Sequence, residues 1–133
     1  MRKQILVVDD DKDDFAMFSE ALRRISVTDF SCTYAESSTH ALEFLKVLKP
    51  DYIFIDHNMP IINGLQLLEL LQSNKSLSFS KKYLLSTSIT NESRAQAIQA
   101  GAAGCLEKAD SVDELVRKLQ MIFFQEKNIS SNN

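Results

Sequence analysis

Three aspartates and a lysine stand where apolar runs stop. Asp9 and Asp10 follow Ile5–Val8, Asp56 follows Tyr52–Ile55, and Lys108 follows the short run 103–107. A further run, Tyr83–Leu85, ends in the hydroxyls Ser86, Thr87 and Ser88. Short apolar runs bounded by turn residues are the pattern of strands buried on both faces of a parallel sheet. The C-terminal ends of such strands form the edge where open α/β sheets bind ligands. If the strands ending at Asp9 and Asp56 are neighbours, about 4.8 Å apart, three carboxylates converge. Like charges this close must take up protons or share a cation. A hard divalent ion fits, and Mg2+ suits a shallow site that offers one or two direct carboxylates. The backbone carbonyl of Asn58, in the loop after Asp56, is placed to help. A carboxylate facing a metal can attack phosphorus and form an aspartyl phosphate. Phosphoryl transfer needs positioning and neutralised equatorial oxygens above all. Mg2+, the Lys108 ammonium and the Ser86 hydroxyl would supply that neutralisation.

Each residue has a plainer explanation when taken alone. Asp11, Asp13 and Asp14 suit the cap and the positive end of a helix dipole. Asp56 could be a turn residue, Lys108 a solvated surface lysine, and Ser86 the filler of a strand end. Asp9 and Asp10 directly end an apolar strand, which capping does not explain. Functional groups at four strand ends together favour one site. His40 and His57 are expected at the surface and are too isolated to suggest a transition metal.

The elements that must position these groups follow from periodicity. Ile5–Val8 is a strand, followed by a helix with Phe15, Phe18, Leu22 and Ile25 at helical spacing. Phe30–Glu36 is a second strand. Ser37 or Ser38 opens a helix with Ala41, Leu42, Leu45 and Leu48 on one face, ending before Pro50. Tyr52–Ile55 is the third strand, and the loop with Pro60 and Gly64 leads to a helix with Leu65, Leu68 and Leu71. Residues 74–82 read as a polar loop and Tyr83–Leu85 as a fourth strand. A weak helix from Asn91 to Ala100 has Ile98 as its best apolar anchor and stops at Gly101. Residues 103–107 form a fifth strand. A capping box, Ser111-Val112-Asp113-Glu114, opens a last helix with Val112, Leu115, Leu119 and Ile122 on one face. Residues 128–133 form a polar, flexible tail. Strand–helix alternation implies a parallel sheet with right-handed crossovers and helices on both faces.

The bulk properties agree with one domain, residues 1–127, of a chain of 133 residues. A net charge of −3 disfavours a direct nucleic-acid surface. Two cysteines, Cys32 and Cys105, are too few for a disulfide framework and suit reduced thiols in the cytoplasm. No apolar run reaches membrane-spanning length, and none near the start has the form of a signal peptide.

Val7-Val8-Asp9-Asp10, Asp56-His57-Asn58-Met59-Pro60, Gly64, Ser86, Ala100-Gly101-Ala102 and Lys108 together resemble the response-regulator receiver domain of two-component signalling. The resemblance covers residues 4 to about 124. It implies a flavodoxin-like (βα)5 fold with strand order 2-1-3-4-5. It further implies that Asp56 accepts a phosphoryl group from a histidine kinase or histidine phosphotransfer protein. Asp9, Asp10, Asp56 and the Asn58 carbonyl would organise Mg2+, and Lys108 and Ser86 would contact the phosphoryl oxygens. Ser86 is chosen over Thr87 because its spacing to Lys108 is the family's usual one. The chain departs from the family pattern at Ala109, where proline is usual. It departs again at Cys105, where an aromatic often swings inward, and at Thr87, where a small residue normally gives that ring room. The aromatic half of the usual switch therefore lacks its ring. The resemblance also implies a stand-alone receiver, a monomer or weak dimer, whose output is contact with an effector protein. A phosphorelay carrier is the alternative. An aspartyl-nucleophile phosphatase ranks lower, because such enzymes typically have a second acid where this chain has Asn58. A phosphorylation-dead scaffold is disfavoured by the intact acids, Ser86 and Lys108.

Overall fold

Continuous apolar runs become central strands here, and the amphipathic runs between them become helices. The computed structural model describes residues 2–131, with side chains through residue 124. The strands are β1 (Lys3–Val8), β2 (Phe30–Ala35), β3 (Tyr52–Asp56), β4 (Lys81–Ser86) and β5 (Gly104–Glu107). They alternate with the helices α1 (Lys12–Ile25), α2 (Ser38–Phe44), α3 (Gly64–Gln72), α4 (Asn91–Gln99) and α5 (Val112–Ser131). All strand pairs are parallel, in the order 2-1-3-4-5. Parallel pairing is what the alternation implies, and the order is the one the family resemblance implies. β1 and β3 are neighbours with Val8 opposite Ile55, which carries Asp9 level with Asp56.

Strand alternation divides the core in two. Leu6, Val8, Ile53 and Ile55 pack on one face with residues of α2, α3 and α4. Ile5, Val7, Tyr52 and Phe54 pack on the other with Phe18 and Leu22 of α1 and Leu115, Leu119 and Ile122 of α5. Every residue of β3 is buried, Asp56 included. The caps follow from residue type. The Asp11 carboxylate accepts from the Asp13 N–H, Ser37 from His40, Asn63 from Gln66 and Thr90 from Ser93.

Several local expectations are corrected. α2 ends at Phe44, and the chain reaches Pro50 through turns, so Leu48 is not on a helix. The expected polar loop 74–82 holds a 3-10 turn, Lys75–Leu77, whose Leu77 is buried. There Lys82 buries its stem and donates from Nζ to the carbonyls of Leu77 (2.9 Å) and Ser80 (3.1 Å). Periodicity sees a lysine as polar and misses this use of it. Ile98 is 49% exposed, and the fully buried Ala97 anchors α4 instead. At the start of α5, Ser111 Oγ accepts from the Glu114 N–H. The Glu114 carboxylate accepts from the Asp110 N–H, one residue earlier than in a capping box. α5 is described through Ser131, and residues 132–133 of the expected tail lie outside the described residues.

Candidate functional site

Asp9 lies one residue past β1, Asp56 is the last residue of β3, Ser86 ends β4, and Lys108 follows β5. The sheet thus brings four of the expected residues to one edge. One carboxylate oxygen from each of Asp9, Asp10 and Asp56 lies within 4.8 Å of the others. Asp9 and Asp56 are buried and Asp10 is exposed, so the cluster opens to solvent on one side. Hard oxygen donors at this spacing fit a hard divalent cation, which would offset both the mutual repulsion and the burial of two charges.

Lys108 crosses the sheet edge to the acids. Its Nζ lies 3.1 Å from Asp56 Oδ1, 3.5 Å from Asp9 Oδ2 and 2.7 Å from Asp14 Oδ2. Asp56 Oδ1 also accepts from the Asn58 N–H at 3.2 Å, which aims the carboxylate along the loop. Asp9 Oδ1 accepts from the Asp11 N–H at 2.9 Å. These contacts leave the two buried acids incompletely compensated. Burial pushes Asp9 up to about 7; the Asp11 N–H opposes that rise and the Asp56 charge adds to it. Burial likewise raises Asp56, with Lys108 drawing it back. Burial works against the Lys108 ammonium too. The hydrogen bond to Asp14 and the charges of Asp9 and Asp56 outweigh it and hold Lys108 above the ordinary lysine range.

The expected hydroxyl is differently engaged. Ser86 Oγ donates to the Ser88 carbonyl at 2.8 Å, while the Ser86 carbonyl accepts from the Lys108 N–H at 2.8 Å. Thr87 is exposed, immediately past β4. Cys105 lies opposite Leu84 in the β4–β5 register and packs against the α2–α4 side of the core. No aromatic stands at that position. Asn58 meets the site through its backbone N–H, which donates to Asp56 Oδ1. His40 is exposed as expected, but His57 is half-buried, and its Nδ1 is buried without a hydrogen-bond partner among the described residues.

Sequence reasoning missed the setting of three further residues. Asp14, read as a dipole complement in the first turn of α1, is the nearest carboxylate to the Lys108 amine. Its place four residues before Phe18 puts it on the helix face that carries Phe18 and Leu22 into the core, a signal that was present but ambiguous. Ile61 has φ 69° and is 96% exposed in the β3–α3 loop. Tyr34, near the end of β2, stacks on Phe15 at 4.5 Å and buries its hydroxyl. Burial and then the Asp9 charge raise that phenol.

Comparison with known proteins agrees with this fold. The family model described as the response regulator receiver domain matches residues 5–120. Transcriptional regulatory protein LnrK of Bacillus subtilis (strain 168) is 33% identical over 88 residues, 66% of this chain and 39% of that protein. Response regulator MprA of Mycobacterium sp. (strain KMS) is 30% identical over 124 residues, 92% of this chain and 51% of that protein. The chain therefore spans about half the length, or less, of these curated relatives. Among solved structures, chemotaxis protein CheY4 of Vibrio cholerae superposes with a TM-score of 0.80 at 24% identity, covering 91% of this chain and 98% of that one. The Mn(2+)-bound form of response regulator Rcp1 superposes at 0.76 and 24% identity, covering 90% and 91%. At that identity the two structures show the fold.

Proposed function

The chain belongs to the response regulator receiver domain family, and from that premise we propose that it is a phosphoacceptor signalling protein whose acceptor is Asp56. Receiver domains are signalling domains that meet histidine kinases and effectors, and they are not enzymes in the ordinary sense. The observation that carries the proposal is the convergence of Lys108 Nζ, the Asn58 N–H and two further carboxylates on the buried carboxylate of Asp56.

The donor is a phosphohistidine on a kinase or a histidine phosphotransfer protein. An oxygen of Asp56 attacks phosphorus, the P–N bond breaks, and the imidazole leaves with its electron pair and takes a proton. Asp9, Asp10 and Asp56, with the Asn58 carbonyl, would hold Mg2+, which when bound neutralises charge on the transferring group. Lys108 contacts a phosphoryl oxygen as a point charge. The Ser86 hydroxyl gives up the Ser88 carbonyl to reach another, and this rearranges the start of the β4–α4 loop. The Asn58 N–H keeps the acceptor aimed. The chain promotes only its own phosphorylation and dephosphorylation.

The responding face is α4, β5 and α5, which borders Ser86 and Lys108. α4 is the element readiest to shift, because one fully buried alanine is its main anchor. The output is contact with an effector protein. Residues 1–127 act as the unit, as a monomer or weak dimer. Two cysteines, too few for a disulfide framework, fit the reducing, cytoplasmic setting we assign. Among the described residues no helix is long and apolar enough to cross a membrane.

Amide hydrogen exchange before and after phosphorylation tests the switch. Changes should concentrate in residues 86–120 and be absent in Asp56→Ala. Changes confined to α1 and α2 would overturn the assigned face. Onward transfer to a histidine domain would instead support a relay.

A further inference from the structure

Lys108 is gripped most closely by a residue that this chemistry does not use. Its amine lies 2.7 Å from Asp14, against 3.1 Å from Asp56 and 3.5 Å from Asp9. An ammonium has three hydrogens, and here three carboxylates surround it.

The three carboxylates are not equivalent in what they lose if the lysine leaves. The side chains of Asp9 and Asp56 are 1% and 3% exposed, whereas that of Asp14 is 31% exposed. Water can replace the ammonium at Asp14 and cannot at the other two, so Asp14 is the partner that releases the lysine at least cost. Asp14 and Lys108 also line one cleft between α1 and α5, with Met17, Ala109 and Leu115. The flexible four-carbon stem has room there to change partners.

Building on Asp56 as the phosphoacceptor, we propose that Asp14 is the resting partner of Lys108 and competes with the phosphoryl group for its ammonium. Modification of Asp56 replaces one negative charge with about two, and the lysine then turns from Asp14 to the phosphoryl oxygens. Asp14 thereby lowers the site's hold on the phosphoryl group. It is a positioning residue that acts through Lys108.

Beryllofluoride, a phosphoryl mimic, is the probe, titrated calorimetrically into the full chain at saturating Mg2+. Asp14→Asn should bind it roughly tenfold tighter, the size expected when one charge-assisted hydrogen bond no longer competes. In a Lys108→Ala background the same substitution should change affinity less than about twofold, because no ammonium is left to compete for. Unchanged or weaker binding by Asp14→Asn overturns the inference. So does an equal gain in the Lys108→Ala background, which would mean simple charge repulsion. Wild-type protein that neither binds beryllofluoride nor takes a phosphoryl group on Asp56 would bring down the phosphoacceptor reading itself. Wild-type binding with no Asp14 effect brings down this inference alone.

Discussion

A Cβ on Gly64 would lie 2.4 Å from the carbonyl oxygen of Asp56. It would also lie 2.9 Å from His57 Cα and 2.8 Å from Leu84 Cδ1, and two of these three neighbours are backbone. The start of α3 is thus pressed against the acceptor's own peptide, and the Gly64 N–H donates to the His57 carbonyl at 3.0 Å. The glycine holds the loop closed against β3. Gly64→Ala should destabilise the chain by about 1–3 kcal/mol, as overpacking does. Urea denaturation measures it, and an unchanged midpoint would contradict the close approach.

Ile61, three residues earlier, supplies the opposite case. A β-branched residue in the left-handed region is strained by roughly 1–2 kcal/mol, and Ile61 has little packing to lose because it is 96% exposed. Asparagine tolerates that region. Ile61→Asn should therefore stabilise by about 1 kcal/mol, read in the same denaturation experiment. A destabilised variant would show that Ile61 has a contact worth more than its strain.

The buried acids predict a pH dependence. Asp9 is pushed from 3.8 up to about 7, first by burial, and Asp56 is raised for the same first reason. Groups with a raised folded-state pKa bind protons more tightly when folded. Their penalty is present in full above the folded pKa, fades as pH falls through it, and is gone below the unfolded value. Metal-free protein should therefore gain stability as pH falls from about 8 toward 5, by a few kcal/mol. Asp9→Asn, which keeps an oxygen for the Asp11 N–H, should be more stable at pH 8 and clearly less steep across that range, with the contribution of Asp56 remaining. Thermal melts in chelator decide it, and a wild-type melting temperature that falls with pH would contradict the assignment.

A divalent cation should act on the same group of charges. If Mg2+ is present at about ten times its Kd, linkage gives about 1.4 kcal/mol, or about 3–5 °C in melting temperature. Asp10→Asn should melt higher than wild type without metal and gain less from Mg2+. If Mg2+ shifts neither melt, or Asp10→Asn is clearly the less stable without metal, the acidic pocket does not hold the cation.

The parallel sheet and the converging edge were legible because buried parallel strands leave continuous apolar runs, and because each run here stops at a charged or hydroxyl residue; the strand order came from the family resemblance. What sequence pattern alone left hidden has local causes. Ala97 anchors α4 because a small side chain lets the helix come close to the sheet, while a count of large apolar residues favours the exposed Ile98. Leu77 sits in a polar stretch, and Lys82 buries its stem while its amine finds carbonyls. The raised acid pKa was expected from repulsion among Asp9, Asp10 and Asp56. Burial contributes more, because β1 and β3 are the central pair of neighbours on this side of the sheet and carry their terminal acids inward. Asp14 has two valid readings, as a dipole complement and as a lysine partner, and only the three-dimensional position of Lys108 separates them.

The most direct test is the mass of the intact protein after exposure to acetyl phosphate and Mg2+. Wild type should gain one phosphoryl group, chelation should suppress the gain, and Asp56→Ala should gain none. An unmodified wild type, or a phosphoryl group that persists in Asp56→Ala, would contradict Asp56 as the acceptor.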